Sequence, residues 1–267
     1  MLRELILFFL KAASFVTSNR LGQQALSCAV QVLQAMMGIG TGSRTGSGEV
    51  ASVRLCASNA TIFDVGANVG QFAKLVQSTI KPGRLICFEP GRQTFSKLKE
   101  NVRDAELINI ALGAKPDVLN LYYDEPGSGM ASLTKRELAH FGLEFSMSEQ
   151  VEVDTIDRVC VRLGVDRIDL LKIDVEGHEL EVLQGAASML ERRAIRLVQF
   201  EFGGSNIDTR TYLRDFFYFF SRLNMMLYRI TPSGHLHRIT GYREIHEQFR
   251  TTNFLAINHD QRHHTSV

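Results

Sequence analysis

The chain has 267 residues, of which 45% are hydrophobic and 22% charged, a balance that suits one large domain or a domain with an appendage. A formal charge of +1 leaves no concentrated basic face, so nucleic acid is not an expected partner. Cys28, Cys56, Cys87 and Cys160 stand singly, without metal-ligand spacing, and point to reduced thiols in a cytoplasmic protein.

The first apolar run, residues 5–10, falls far short of the about 20 residues that cross a bilayer as a helix. A second, residues 25–37, carries Gln31 and Gln34 and reads as amphipathic. Two readings of this leader stand. The simpler has its helices packing on the domain or on a second subunit; the other is a peripheral membrane contact. The Gly/Ser/Thr-rich stretch 38–48 reads as a linker. It divides a helical leader, 1–50, from a main domain, 51–267.

Beyond the linker, apolar strands are predicted at 61–65, 84–88, 107–110, 168–173, 195–202, 226–230 and 253–257. Helical patterns fill 69–80, 93–102, 156–163, 178–190 and 209–223. This alternation predicts an α/β fold, a largely parallel sheet with helices on both faces and an antiparallel edge. Residues 115–155 interrupt the pattern, with strands at 119–123 and 150–153 and a loop that could shape a substrate site.

The first strand ends in Asp64 and is followed by Gly66 and Gly70 at the start of a helix. Glycines there let backbone pass close to a ligand, and the helix start presents free N–H groups. A dinucleotide pyrophosphate needs only that much, and a carboxylate would repel it. An acid at this strand end suits a ligand with an ammonium group, and S-adenosylmethionine has one beside its adenosine. The second strand ends in Glu89, before Pro90, where a carboxylate can accept from both hydroxyls of a ribose.

The run from Asp169 to Leu180 passes from strand through turn to helix. Lys172 and Asp174 share one strand face, and Asp174, Glu176 and His178 converge on the carboxyl-end crevice where open sheets bind ligands. Glu201 ends the next strand. Neighbouring carboxylates could hold a divalent ion such as Mg²⁺, or divide the roles of base and acceptor for a hydroxyl. The spacing leaves both open.

Taken together, Phe63-Asp-Val-Gly-Ala-Asn-Val-Gly70, Phe88-Glu-Pro90, Asn109-Ile-Ala-Leu-Gly113, Val153-Asp-Thr-Ile-Asp157, Leu170-Leu-Lys-Ile-Asp-Val-Glu-Gly-His-Glu179 and Gln199-Phe-Glu201 resemble a class I S-adenosylmethionine-dependent methyltransferase of the FkbM type. The resemblance implies a seven-stranded, Rossmann-like, mostly parallel sheet and O-methylation of a hydroxyl on a sugar, glycoconjugate or secondary metabolite. It implies that Asp64, Gly66, Ala67, Asn68, Gly70, Glu89, Pro90, Asn109 and Ala111 bind the methyl donor. Asp174 is then the candidate base, His178 the next, with Lys172, Glu176 and Glu201 positioning them. Two rivals remain: an NAD(P)-dependent oxidoreductase, opposed by Asp64 and by the lack of G-x-G-x-x-G, and a non-catalytic scaffold on the same fold.

Overall fold

A computed structural model describes residues 17–41 and 48–258, together with Glu4, Leu7, Ala13 and Ser14. The apolar run 5–10 therefore lies outside the described residues apart from Leu7. Helix α1 (Arg20–Met36) is followed by α2 (Val50–Arg54), which the sequence pattern did not reveal. Then come β1 (Thr61–Val65), α3 (Gln71–Thr79), β2 (Arg84–Phe88), α4 (Arg92–Asn101) and β3 (Glu106–Ile108). The insertion holds β4 (Ala111–Leu112), β5 (Asp117–Tyr123) and β6 (Met147–Asp154). The chain continues through α5 (Ile156–Leu163), β7 (Ile168–Ile173), α6 (Glu179–Gln184), α7 (Ala187–Glu191) and β8 (Ile195–Phe202). Helices α8 (Ser205–Thr209) and α9 (Leu213–Arg222) lead to β9 (Met225–Ile230), β10 (Leu236–Arg238) and β11 (Thr252–Asn258).

The main sheet has eight strands in the order β10-β9-β11-β8-β7-β1-β2-β3, not the expected seven. The added strand is β10, three residues that pair antiparallel with β9. Strands β3, β2, β1, β7 and β8 are parallel to one another, whereas β11 runs antiparallel to both β8 and β9. The antiparallel part is thus larger than an edge. The expected strand 107–110 ends at Ile108, and the residues just past it, β4, belong to a separate three-stranded sheet, β4-β6-β5. The predicted helix 178–190 also breaks, because Gly185 packs on the Gly113 carbonyl, where any Cβ would come within 2.0 Å.

Side chains alternate across each strand, and this splits the core into two layers. Phe63, Ile86, Leu171 and Val198 pack with α5, α6, α7 and α9 on one face. Ile62, Leu85, Leu170 and Leu197 pack with α2, α3 and α4 on the other. Parallel strands covered on both faces need apolar side chains on both, which explains their continuous hydrophobic runs.

Of the two surfaces in the simpler reading, the domain does not cover the leader helix. No residue of α1 is buried, so its apolar side chains do not pack on the domain. Its C-terminal end is fastened to the domain through Gln34, and the supposed linker is rooted at both ends. The Gly40 N–H donates to the Thr251 carbonyl (2.8 Å), and a Cβ on Gly48 would meet the Thr231 carbonyl at 2.3 Å. Among the described residues, no helix is long and apolar enough to cross a membrane.

Candidate active site

The strand ends of β1, β2, β7 and β8 open on one side of the sheet. Gly66 turns the chain out of β1 with φ +77°, a left-handed conformation that glycine adopts without steric cost. A Cβ on it would lie 1.8 Å from the Asp174 carbonyl oxygen, so glycine is what lets the ends of β1 and β7 lie side by side. The N–H groups of Gly66 and Ala67 donate to the Phe88 carbonyl at 3.0 and 2.9 Å, tying this turn to β2.

Glu89 stands where those two turns meet. Its Oε2 accepts from the Asn68 N–H (3.0 Å) and its Oε1 from the Gly91 N–H (2.8 Å). Burial pushes its pKa up to about 7, and the two N–H groups pull the other way. Asn109 holds the turn from outside, its Nδ2 donating to the carbonyls of Glu89 (2.8 Å) and Pro90 (2.9 Å). The cavity beside Glu89 has apolar walls from Val65, Phe88, Ile110, Leu112 and Leu121, with Pro90 and Ala111 completing it.

A wider cleft adjoins this cavity. Gly66, Asn68, Gly129, Asp174 and Glu176 line both, so the two spaces meet at that point. Ala67, Lys172 and Glu201 line the wider one. Asp64, Lys172 and Gln199 are neighbours in register across β1, β7 and β8, so their side chains emerge on one face. The Lys172 ammonium lies 3.3 Å from Asp64 Oδ1, 3.3 Å from Asp174 Oδ2 and 5.5 Å from the centre of the Phe72 ring. Burial pulls the lysine pKa down, but the carboxylates of Asp64, Asp174 and Glu49 outweigh it and hold Lys172 charged. Burial in turn pushes the Asp64 carboxyl up, against the pull of Lys172.

Asp174, Glu176 and Glu201 each offer a carboxylate oxygen within 4.8 Å of the others. Burial and the neighbouring acids push Glu201 well up and Glu176 to about 8, so these two favour holding protons. Such oxygens could hold a hard cation. Lys172 and Arg136 already bring positive charge to Asp174 and Glu176. Arg136, 7% exposed, reaches from the insertion to Glu176 Oε2 (2.6 Å) and Asp208 Oδ2 (3.3 Å). Glu179 shapes the turn after β7, its Oε1 accepting from the Val175 and Gly177 N–H groups at 3.2 and 3.0 Å.

The structure therefore brings Gly66, Ala67, Asn68, Glu89, Pro90, Ala111, Lys172, Asp174, Glu176 and Glu201 to the two spaces. Four expected site residues lie elsewhere. Asp64 is fully buried behind Lys172, because the register that pairs β1 with β7 turns it toward that lysine. Gly70 serves the start of α3, with φ +88° and close packing against Leu98 and Val102. Asn109 braces the Glu89 turn instead of lining the cavity. His178 Nε2 is engaged by Thr134 Oγ1 at 2.8 Å, and its Nδ1 faces Glu181 at 4.0 Å, which removes it from the cleft. Burial also lowers its pKa.

Sequence reasoning missed Arg136 and gave Glu179 no role. A lone arginine in an irregular insertion carries no local signal, and its partners Glu176 and Asp208 are distant in sequence. For Glu179, an acid five residues past a strand-end aspartate was the available sign.

Residues 64–231 match the family model of the methyltransferase FkbM domain. Methyltransferase sdnD of Sordaria araneosa is 28% identical over 157 residues, 48% of this chain and 61% of that protein. The hexuronic acid methyltransferase AglP of Haloferax volcanii is 29% identical over 164 residues, 58% of this chain and 64% of that one. The 2-O-methyltransferase NoeI of Sinorhizobium fredii is 24% identical over 143 residues, 49% and 59% of the two chains. The matches span less than two thirds of the length of each of these relatives.

Proposed function

Because the chain belongs to the FkbM methyltransferase family, we propose that it moves a methyl group from S-adenosylmethionine to a hydroxyl of a sugar, glycoconjugate or secondary metabolite. One observation carries this reading: an apolar cavity with a backbone-held carboxylate meets a wider cleft with three carboxylates, across Gly66, Asn68, Gly129, Asp174 and Glu176. The first space has what adenosine asks for. Its walls take the base, and Glu89 retains lone pairs for the ribose hydroxyls after accepting its two N–H bonds.

The donor, when bound, supplies a methyl group on a sulfonium, an electrophile that needs little covalent help. What falls to the protein is alignment of the acceptor oxygen and a place for its proton. Asp174 stands where the two spaces meet, beside the Lys172 ammonium, and is the group best placed to orient that hydroxyl. Asp174 is also the group placed to take the proton, with Glu201, whose carboxyl is pushed well up and favours its protonated form, within 4.8 Å of it. Two relatives bear names that specify a hexuronic acid and a 2-O position, which favours a sugar hydroxyl as acceptor.

The test is calorimetry with S-adenosylhomocysteine, with NAD and a Glu89→Gln variant as controls. Binding of S-adenosylhomocysteine that Glu89→Gln weakens, with none of NAD, is the expected result. Binding of NAD alone would overturn the reading in favour of hydride transfer. Asp174→Asn is expected to keep that affinity and to lose methyl transfer.

A further inference from the structure

Among the described residues, the largest group of exposed apolar side chains belongs to α1. Leu21 is 77% exposed, Leu33 59% and Met36 70%. At 3.6 residues per turn, Leu21, Leu26, Val30, Val32, Leu33 and Met36 fall within one arc of about half the helix circumference. Gln23, Gln24, Ser27, Gln31 and Gln34 occupy the opposite arc. The polar arc is the side fastened to the domain. Arg250 Nη1 donates to Gln34 Oε1 (2.6 Å), and Gln34 Nε2 donates to Gln248 Oε1 (2.8 Å). The apolar arc is left facing outward.

A partner helix would cover a narrow seam, two positions in seven, and leave the rest of this arc in water. A lipid surface covers the whole arc at once. Charge favours the same occupant. Residues 1–48 carry four basic residues and one acid, net +3, the sign attracted to anionic headgroups, while the rest of the chain is net −2. A further apolar run, Leu5 to Leu10, precedes α1 in the sequence.

The fastening point is also the rim of the wider cleft, which Gly40, Arg250 and Thr251 line. We propose that α1 docks on the surface of a lipid bilayer through its apolar arc and thereby holds the rim of the wider cleft against that surface. Glutamines fill the polar arc where many interfacial helices carry lysines, so apolar burial dominates, and the leader's net +3 adds a smaller, salt-dependent part. This inference stands on the helix and the rim alone, independent of the methyl-transfer reading.

Among the described residues Cys28 is the exposed cysteine, on α1, while Cys56, Cys87 and Cys160 are buried, so a thiol-reactive fluorophore marks the helix selectively. The probe is vesicles of phosphatidylcholine and phosphatidylglycerol carrying a lipid-borne quencher, added to the full chain. Quenching of the Cys28 label is expected, with affinity reduced at least about tenfold in a Leu26→Glu, Leu33→Glu variant. In a Cys28→Ser background, a label at Phe141→Cys on the cleft is expected to be quenched, and one at Val161→Cys, near the end of α5, is not. No quenching at Cys28, or a concentration-dependent dimer that the Leu26→Glu, Leu33→Glu variant dissolves without vesicle binding, would overturn the docking. Quenching at Cys28 but not at Phe141→Cys would overturn the orientation of the cleft.

Discussion

Lys172 and Asp64 form an ion pair across adjacent parallel strands with the lysine side chain 6% exposed and the aspartate 0%. Neither Asp64 oxygen accepts a hydrogen bond of good geometry, so Lys172 is the main compensation for that buried carboxylate. Removing one partner of a buried pair costs more than the pair itself contributes, because the remaining charge stays in low dielectric. Lys172→Met is expected to lower unfolding free energy by about 3–5 kcal/mol, read by denaturant titration. Adding Asp64→Asn to that variant should restore most of it. Equal loss in the single and double variants would show that packing of the lysine stem, not charge, is the cause.

Glu89 ties cofactor affinity to pH. Its pKa is raised to about 7, and the ionised form is the one that accepts from ribose hydroxyls. Affinity for S-adenosylhomocysteine is therefore expected to climb about tenfold per pH unit below pH 7 and to level off above it. Stability runs the other way. A carboxyl with a raised folded pKa stabilises the fold below its ordinary value, and that contribution is lost as pH rises through about 7. Calorimetry across pH checks the first slope, and Glu89→Gln should flatten it.

His178 is expected to be dispensable for turnover. Its ring is engaged by Thr134 and it stands outside both spaces. His178→Ala should cost about 0.5–1.5 kcal/mol of stability for the lost hydrogen bond and leave kcat within a few-fold of wild type. A loss of kcat as deep as that of Asp174→Asn would return the histidine to the chemistry.

Much of this was legible in the sequence because the central strands announce themselves twice. Strands β1, β2, β7 and β8 are mostly apolar, being covered on both faces, and end in or just before an acid or glycine that the strand end exposes. Short strands such as β4 and β10 have too few residues to show a period, and α2 is a single turn and a half. Within the site, a residue's position along the chain told which strand end it occupies but not which way its side chain turns. That is why Asp64 reads as a ligand group until register places it against Lys172, and why Asn109 reads as lining until its amide is seen to hold two carbonyls. Arg136 was invisible for a further reason: its partner Asp208 lies 72 residues away.

Because β11 enters the sheet between β8 and β9, the chain cannot lay its strands down in the order in which they are made. Strands β1, β2, β3, β7 and β8 can pair as soon as residue 202 is available, whereas the hairpin of β9 and β10 has no place in the sheet until residues 252–258 arrive. During synthesis the edge of β8 is open and a finished hairpin is waiting, a geometry that invites pairing with other chains. Pulse-labelled hydrogen exchange during refolding is expected to find the β9 amides that face β11 protected no earlier than those of β11.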